Sequence, residues 1–549
     1  MPLQKNQVLT LQVERLSSDG SGVAHSPEGE TVFIPGAAPG DEARVRIVKD
    51  CKRYAFGILD EVLTPSPDRI PVDCAVAGPC GGCSLRHLDY AAELRAKQEN
   101  VADAFARIGG LDVPVLPIVG SPEIDRYRNK VQFPVGTDKA GRPCIGFYAG
   151  RTHRIVPCPD CRLQPGVLNE IGNTLCAFFA EKGIHPYNEE TGKGLVRHIF
   201  LRRGAHSGQI MVCLVCTRAK LPSADELCTR LKEAFPDIVT ILLNVNAKNT
   251  NVILGSETHT LYGQGYIEDT LCGVPVQLGP LSFYQVNTLA AEQLYGIAAE
   301  YAQLAPDDLL LDLYCGMGTI GLSMADHCRE LVGVEIVPEA IESAKANAAR
   351  MGAAVSAKSR FFCADAGQAA AQLAAEGLHP DVVMLDPPRK GCDEATLSAV
   401  VRMAPRRVVY VSCNPATAAR DAAWLEQNGY HAEKVQPVDL FPRTKHVECV
   451  IALSKGEIDS KKVRVEFSLE GMDTSGLQKG ATYPEIKARV LEQTGLKVSS
   501  LYISQVKQKC GLEVRENHNK PKSENSRQPH CLPEKEAAIR DALKYFKMI

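Results

Sequence analysis

The spacing of apolar residues divides the chain into regions that predict different structures. In residues 1–65 apolar and polar positions alternate, as in LTLQVERL, and Gly-rich turns separate the runs. This period of two is typical of strands, and several short strands with such turns predict a small closed β-barrel. In residues 285–455 apolar strand-like runs instead alternate with helical stretches such as PEAIESAKANAARMG. That order predicts a doubly wound parallel sheet.

The remaining regions have mixed or helical patterns. A helical stretch covers 90–108, and residues 111–270 combine strand-like runs with Gly and Asn turns, which predicts an α+β domain. Residues 456–549 form an extension of short helices broken at Gly495 and Gly511. We therefore predict a multidomain α/β protein with domains at 1–65, 66–270, 271–455 and 456–549.

Composition narrows the class of protein. The chain has 549 residues, of which 45% are hydrophobic and 23% charged, so wholesale disorder and fibrous architectures are excluded. No apolar run reaches the ~18 residues of a membrane span, and the N-terminus lacks a signal-peptide pattern. We expect a cytoplasmic protein with mostly reduced thiols and no membrane partner.

Charge is unevenly distributed along the chain. The net charge is -3, but residues 456–549 carry +4 and the preceding 455 residues carry -7. Two basic stretches lie at 44–53 and 126–154, and the second interleaves aromatic residues with seven Lys and Arg. Such strips suit a single-stranded nucleic acid, and a solvated charged sheet face is the alternative. The aromatic residues of the second stretch are Phe133, Phe147 and Tyr148.

Five of the 20 cysteines are clustered in sequence. Cys74, Cys80 and Cys83 lie in a Gly- and Pro-rich segment, and Cys158 and Cys161 follow about 75 residues later. Soft thiolates suit an iron–sulfur cluster or zinc, because both accept cysteine ligands. The spacing favours iron–sulfur, since zinc would not need the third thiolate of the triplet. Unmetallated thiols are the remaining alternative.

A glycine-bearing turn indicates a nucleoside-type cofactor. In LLLDLYCGMGTIGL a strand runs into a turn with Gly316 and Gly318, where a ligand can approach the backbone. Glu335 ends the next strand, where an acid can hold ribose hydroxyls, and Asp365 follows a third strand. The Asp-Leu-Tyr-Cys-Gly sequence that leads into this turn favours S-adenosylmethionine over a dinucleotide as the cofactor.

Three further strand ends carry reactive groups. Asp386 begins DPPRKG after the fourth strand, and Cys413 in VVYVSCNPAT ends the fifth, as expected of a nucleophile. Glu448 in HVECV lies among apolar residues, which should raise its pKa and suit it to proton transfer. A thiolate, a base and a methyl donor together suit methylation of a pyrimidine at carbon 5.

The combination of motifs resembles a known family. The DLYCGMG turn, LDPPR, SCNPAT followed by Arg420 and Asp421, and HVE resemble the RNA 5-methyluridine methyltransferases, specifically the RumA/RlmD-type 23S ribosomal RNA enzymes, over roughly 1–455. The resemblance implies an oligonucleotide-binding TRAM barrel, a central iron–sulfur and RNA-binding domain, and a Rossmann-like methyltransferase domain on which helix 90–108 packs. It also implies a 4Fe–4S cluster on Cys74, Cys80, Cys83 and Cys161.

The same resemblance assigns the site. It implies that Cys413 is the nucleophile and Glu448 the general base. It implies that S-adenosylmethionine is held by Gln285, Tyr314, Thr319, Glu335, Asp365 and Asp386. Thr319 stands where some members have Asn. The expected partner is 23S ribosomal RNA, bound by a monomer.

Two other functions stay open at this stage. One is methylation of transfer RNA uridine, and the other is a non-catalytic iron–sulfur RNA-binding or assembly factor. The resemblance does not reach the extension beyond 455, whose +4 charge suggests the hypothesis of added RNA affinity.

Overall fold

The computed structural model describes residues 3–150, 152–248, 250–456, 483–494, 496, 498–510, 533–546 and 548. The chain divides into two compact units, Met1–Asp459 and Ser460–Ile549. None of the helices in these described ranges is long and apolar enough to cross a membrane.

The N-terminal strands close into a barrel, which confirms the first prediction. The strand order is β1-β2-β3-β5-β4, and the alternating pattern turns residues such as Val13, Val32 and Val45 into the interior. Gly57 allows the walls to meet, because a Cβ there would lie 2.3 Å from the Val45 side chain. The strands are β1 (Val8–Leu16), β2 (Ser21–His25), β3 (Thr31–Pro35), β4 (Glu42–Asp50) and β5 (Tyr54–Thr64).

One helix follows the barrel and packs against the C-terminal sheet. Helix α1 (Tyr90–Asp103) begins at Asp89, whose carboxylate accepts from the Ala92 amide, and continues as a π-helical turn over Ala104–Gly109. Its residues Val101 and Phe105 are buried in the same core as the strands of that sheet. A helix that precedes the central domain in the sequence therefore packs in the C-terminal domain.

The central domain is a seven-stranded sheet covered by two helices. Its order is β12-β11-β10-β9-β6-β7-β8. The strands are β6 (Lys130–Thr137), β7 (Pro143–Tyr148), β8 (Ile155–Pro157), β9 (Val196–Arg203), β10 (Ile210–Cys216), β11 (Ile238–Val245) and β12 (Glu257–Tyr262). The helices are α2 (Gly166–Glu181) and α3 (Ala224–Ala234).

A hairpin joins the central and C-terminal domains. It consists of β13 (Ile267–Leu271) and β14 (Val274–Leu278), so the boundary placed at residue 270 falls inside a strand. Ile267 and Val276 are buried in a core that includes residues of the C-terminal sheet. The same core includes Phe200, Met211 and Leu242 of the central sheet, so the hairpin packs against both domains.

The C-terminal domain is the predicted doubly wound sheet. Its order is β17-β16-β15-β18-β19-β21-β20, and β21 runs antiparallel to both of its neighbours. The strands are β15 (Leu309–Leu313), β16 (Glu330–Glu335), β17 (Ser359–Cys363), β18 (Val382–Leu385), β19 (Arg407–Ser412), β20 (Tyr430–Val438) and β21 (Glu448–Lys455). The helices are α4 (Thr288–Ala302), α5 (Thr319–Ser323), α6 (Pro338–Met351), α7 (Ala353–Lys358), α8 (Ala366–Ala375), α9 (Glu394–Met403) and α10 (Pro415–Gln427), with a 3-10 turn at Ala325–His327.

The described part of the extension is helical. It contains α11 (Tyr483–Thr494), α12 (Ser500–Lys509) and α13 (Pro533–Tyr545), whose apolar residues such as Val490, Ile503 and Ile539 form a small core. Gly495 and Gly511, where helix breaks were predicted, lie outside the described residues.

Some arginines of the two basic stretches are paired with acids. In the barrel, Arg44 and Arg46 pair with Glu61 and Asp60 of the adjacent strand. In the stretch 126–154, Arg126 pairs with Asp160.

Phe133 and Phe147 of that second stretch belong to the core of the central domain. Phe133 is fully buried, and its ring packs against Phe147 at 5.5 Å between centroids. The interpretation of Phe133 as a base-stacking residue is therefore wrong, because alternate side chains of a strand face opposite sides of the sheet.

Candidate active site

The predicted site residues lie at one edge of the C-terminal sheet. Tyr314 follows β15, Glu335 ends β16, Asp386 follows β18 and Cys413 follows β19. Glu448 reaches the same edge as the first residue of the antiparallel strand β21. These residues meet because parallel strands end at the same edge, where doubly wound sheets bind ligands.

One large cavity unites all of the predicted catalytic and donor-binding residues. It has a volume of about 1290 Å³ and opens at the carboxyl edge of the sheet. Its lining includes Gln285, Tyr314, Thr319, Glu335, Asp365, Asp386, Cys413 and Glu448. The sequence thus located residues that are up to 163 positions apart in the chain but share one cavity.

The donor half of this cavity is built around Glu335. Its carboxylate accepts from the amides of Ile336 and Val337 at 2.8 and 2.9 Å and from the Gly316 amide at 3.2 Å. Gly316 has φ +55°, and a Cβ there would meet no protein atom within 4 Å. The turn therefore leaves open space beside a fixed carboxylate, which suits a bound nucleoside.

Two further residues of the donor half are held by local hydrogen bonds. Asp365 caps α8 and accepts from the Gln368 amide at 3.2 Å. The Thr319 hydroxyl lies 3.4 Å from the hydroxyl of the buried Tyr295. Sequence reasoning missed Ile336, whose side chain is 61% exposed and lines this half as an apolar surface.

The reactive half combines one thiol with two buried carboxyl groups. Burial, and secondarily Asp386, raises the pKa of Glu448 to about 8. Burial likewise raises the pKa of Asp386 to about 7. Burial and the neighbouring Glu448 raise the pKa of the Cys413 thiol. Near neutral pH the two carboxyl groups, Glu448 and Asp386, can therefore exchange protons with a bound substrate.

Arg389 provides the positive charge in this half. Its guanidinium lowers the pKa of both Cys413 and Glu448 and so opposes the effect of burial. It also lies 3.5 Å from the imidazole of His446. Burial, followed by Arg389, lowers the pKa of His446 to about 4, so this imidazole is neutral. Sequence reasoning did not assign Arg389 a role, although LDPPR placed it beside the site.

The clustered cysteines line a second, smaller cavity of about 60 Å³. Among the described residues, no group of three or more His, Cys, Asp and Glu side chains is arranged to hold a metal ion as it stands. The thiols nevertheless share this cavity with positive charge and with an orphaned polar atom, the buried Nε of Arg128. The lining includes Cys74, Cys80, Cys83, Cys158, Cys161, Arg86 and Arg128.

Comparisons with known proteins agree with this geometry. The family model for tRNA (uracil-5-)-methyltransferases matches residues 275–456, and the TRAM-domain model matches residues 2–59. Uncharacterized RNA methyltransferases of Halalkalibacterium halodurans and Bacillus cereus are 43% and 42% identical to this chain. The matches cover 82% and 83% of this chain and 98% of each relative. The chain belongs to the RNA (uracil-5-)-methyltransferase family.

A solved structure extends the likeness of this RNA methyltransferase to three dimensions. Pyrococcus abyssi tRNA (uracil-54, C5)-methyltransferase in complex with S-adenosyl-L-homocysteine is 27% identical, with a TM-score of 0.65. The alignment covers 81% of this chain and 100% of that chain. Together with the TRAM match, it confirms the predicted multidomain α/β fold and the assignment as a methyltransferase.

Proposed function

We propose that this RNA methyltransferase transfers a methyl group from S-adenosylmethionine to carbon 5 of a uridine in 23S ribosomal RNA. The observation that carries the proposal is the meeting of Cys413 and Glu448 in one cavity with the six predicted donor-binding residues. The choice of 23S RNA rests on the sequence resemblance, which includes the TRAM barrel and the clustered cysteines.

The donor half fits S-adenosylmethionine, whose sulfonium supplies an electrophilic methyl group. We assign Glu335 to the ribose hydroxyls and Asp365 to the adenine amine, with Ile336 against the apolar face of the base. Gln285, Tyr314, Thr319 and Asp386 complete the donor contacts. The open space at Gly316 supports this assignment, because the backbone there can approach a ligand closely.

Cys413 makes the substrate carbon nucleophilic. The thiolate adds to carbon 6 of the uracil ring, and the electron pair of the 5,6 double bond moves onto carbon 5 and the carbonyl oxygen as an enolate. Arg389 supports this step because its charge favours the thiolate form of Cys413. Carbon 5 then attacks the methyl group of S-adenosylmethionine, whose S–CH3 bond breaks, and S-adenosyl-L-homocysteine leaves.

Glu448 completes the reaction as the general base. It removes the proton from carbon 5, the 5,6 double bond re-forms, and the thiolate of Cys413 leaves carbon 6. A carboxylate is ordinarily too weak a base for such a proton, but burial brings the pKa of Glu448 to about 8. The enzyme is thereby regenerated without a redox step.

Tritium release from 5-tritiated uridine in defined RNAs tests the proposed reaction. We expect release from 23S RNA fragments and a denaturation-resistant covalent complex with 5-fluorouridine RNA, because fluorine at carbon 5 blocks the elimination. Cys413→Ala should abolish both signals. Bound donor without release and without a covalent complex would favour the non-catalytic binding factor instead.

Transfer RNA is a second candidate substrate. The observation that favours it is the similarity to Pyrococcus abyssi tRNA (uracil-54, C5)-methyltransferase. Release of tritium from transfer RNA, with none from 23S fragments, would establish it in place of 23S RNA. Mapping 5-methyluridine in both RNAs, with and without this protein, identifies the modified position.

We further propose that Cys74, Cys80, Cys83 and Cys161 hold a 4Fe–4S cluster. The shared cavity, with Arg86 and Arg128 beside the thiols, supports an anionic thiolate group there. Anaerobically purified protein should be brown and contain about four irons per chain, with absorbance near about 400 nm. A colourless protein with one zinc would replace this proposal by the zinc alternative.

The remaining expectations concern the whole protein. We expect a cytoplasmic protein, in keeping with an RNA substrate. We also expect a monomer, and sedimentation of the full chain tests the oligomeric state. We propose that residues 456–549 add RNA affinity, because they carry +4. Their deletion should then weaken RNA binding and reduce its salt dependence, and unchanged binding would remove this role.

A further inference from the structure

Most of the connection between β20 and β21, residues 439–447, is buried although it carries no regular structure. Asp439 and Leu440 are fully buried, and Arg443, Thr444 and Val447 are at most 6% exposed. A connection of this length between antiparallel strands ordinarily lies on the surface. Its burial indicates that other parts of the molecule determine its position.

Helix α1 holds the start of this connection through a buried lysine. Lys97 is 1% exposed, and its ammonium donates to Glu93 and Asp439 at 2.7 Å each and to the Phe441 carbonyl at 3.2 Å. Glu93 in turn accepts from the Arg443 amide at 2.7 Å. Two residues of one helix thus fix three points of the connection.

The segment that carries the cysteines holds the same connection from another side. The amides of Ser84 and Leu85, directly after Cys83, both donate to the Arg443 carbonyl at 3.0 and 3.1 Å. The Tyr127 hydroxyl donates to the Pro442 carbonyl at 3.0 Å. Arg443 has φ +67°, in the left-handed region that a non-glycine residue adopts only when its surroundings impose it.

The connection leads directly into the reactive half of the active site. Phe441 and His446 line the large cavity, and Glu448 follows the connection as the first residue of β21. The donor-side residues Glu335 and Asp365 belong to other strands and loops. A shift of the connection should therefore move the base and leave donor binding intact.

We propose that residues 439–447 are a positioning element that couples the cysteine segment and helix α1 to the base Glu448, with Lys97 as its main positioning residue. This inference rests on the proposed function, since it assigns to Lys97 the placement of the group that removes the carbon-5 proton. It also gives the cysteine segment a role in catalysis that requires no electron transfer.

Lys97→Met tests the inference, because methionine keeps an unbranched apolar stem of four heavy atoms and removes the bridging ammonium. We expect kcat to fall by up to about 10²-fold, as for a small misplacement of a reacting group, with KM for the donor unchanged. Because elimination is slowed, the covalent complex of Cys413 with ordinary uridine RNA should accumulate. A purely structural loss would lower complex formation and turnover together, and that result would overturn the proposal.

Phe105→Leu is the matched control, since Phe105 is equally buried on the same helical segment but belongs to the apolar core. It should lower the melting temperature without accumulation of the complex. If Lys97→Met fails to fold, Tyr127→Phe removes a single hydrogen bond to the connection and should show the same accumulation more weakly. An unchanged Tyr127→Phe would then count against the proposal.

Hydrogen exchange provides a readout that is independent of activity. In Cys83→Ser, amides of 439–447 should exchange faster than in the wild type, while those of β15 stay protected. Equal exchange in both proteins would overturn the coupling to the cysteine segment. A wild-type protein that forms no Cys413-dependent complex with 5-fluorouridine RNA would refute the proposed function instead, whatever the exchange result.

Discussion

Two cavities of this methyltransferase are lined by cysteine thiols, and they are built in different ways. Around Cys413, the carboxyl groups of Asp386 and Glu448 stand at strand ends, so the sheet brings them to one edge. Cys80 and Cys83 belong to a segment, residues 65–89, that lies between the barrel and α1. This segment has no helix or strand and forms only isolated β-bridges. A sheet brings the groups of the first site together, whereas the thiols of the second lie on irregular segments.

The two cavities also differ in the side chains that surround their thiols. The Cys413 thiol lies beside the carboxyl groups of Glu448 and Asp386, with Arg389 as counter-charge. Cys80 instead lies near Cys74 and Cys161. Burial raises the pKa of the Cys80 thiol most, and the negative charge of these two neighbours raises it further. One thiol beside a base suits a transient covalent bond, and several thiols together suit a metal group.

Removal of Cys413 should have the largest effect and separate the two cavities. Cys413→Ala should lower methylation by at least about 10⁴-fold, because the nucleophile is lost, while iron content stays unchanged. Tritium release and iron analysis of the same preparation measure both. The matched control is Cys449→Ala, since Cys449 is fully buried next to the site but does not line the cavity. Near-normal methylation by Cys413→Ala would contradict the assignment.

Glu448→Gln should cost about 10²–10⁴-fold in turnover, the usual contribution of a general base. The thiolate can still add to carbon 6 and carbon 5 can still be methylated. A methylated covalent complex should therefore accumulate on ordinary uridine RNA and be visible on a denaturing gel. Slow turnover without this complex would place Glu448 before methyl transfer rather than after it.

The pH dependence should show the opposed effects of burial and Arg389. Glu448 acts as its carboxylate and Cys413 as its thiolate, so the single-turnover rate should rise as pH increases through about 8. Since Arg389 lowers both pKa values, Arg389→Gln should move this rise to higher pH. A rise at the same or lower pH would show that Arg389 does not act on these groups.

Changes at the cysteine segment should affect turnover least. Cys80→Ser should lose iron and colour, while donor affinity of the sheet-edge cavity stays unchanged and turnover falls by less than about 10²-fold. Cys158→Ser should keep its iron, because Cys161 is the assigned ligand. Iron loss in Cys158→Ser but not in Cys161→Ser would exchange these two assignments.

The fold of the active site could be predicted because its signals are local. An acid or thiol directly after an apolar strand marks a sheet edge, and parallel strands bring such residues together without further information. The Lys97–Asp439 pair joins residues 342 positions apart, and nothing in the helical pattern around Lys97 distinguishes it from an exposed lysine. The burial of Phe133 could not be predicted for a related reason, since it depends on how β6 packs in the central sheet.

The separation of Lys97 and Asp439 by 342 positions in the sequence also affects how the protein folds during synthesis. A ribosome that adds about 5–20 residues per second needs roughly 20–70 s to pass from one to the other. During this interval the barrel can close, but Lys97 has only Glu93 as an ionic partner, and the sheet that covers Val101 and Phe105 is incomplete. Ribosome-bound chains that end before residue 439 should therefore be cleaved by protease within α1, although their barrel already resists digestion.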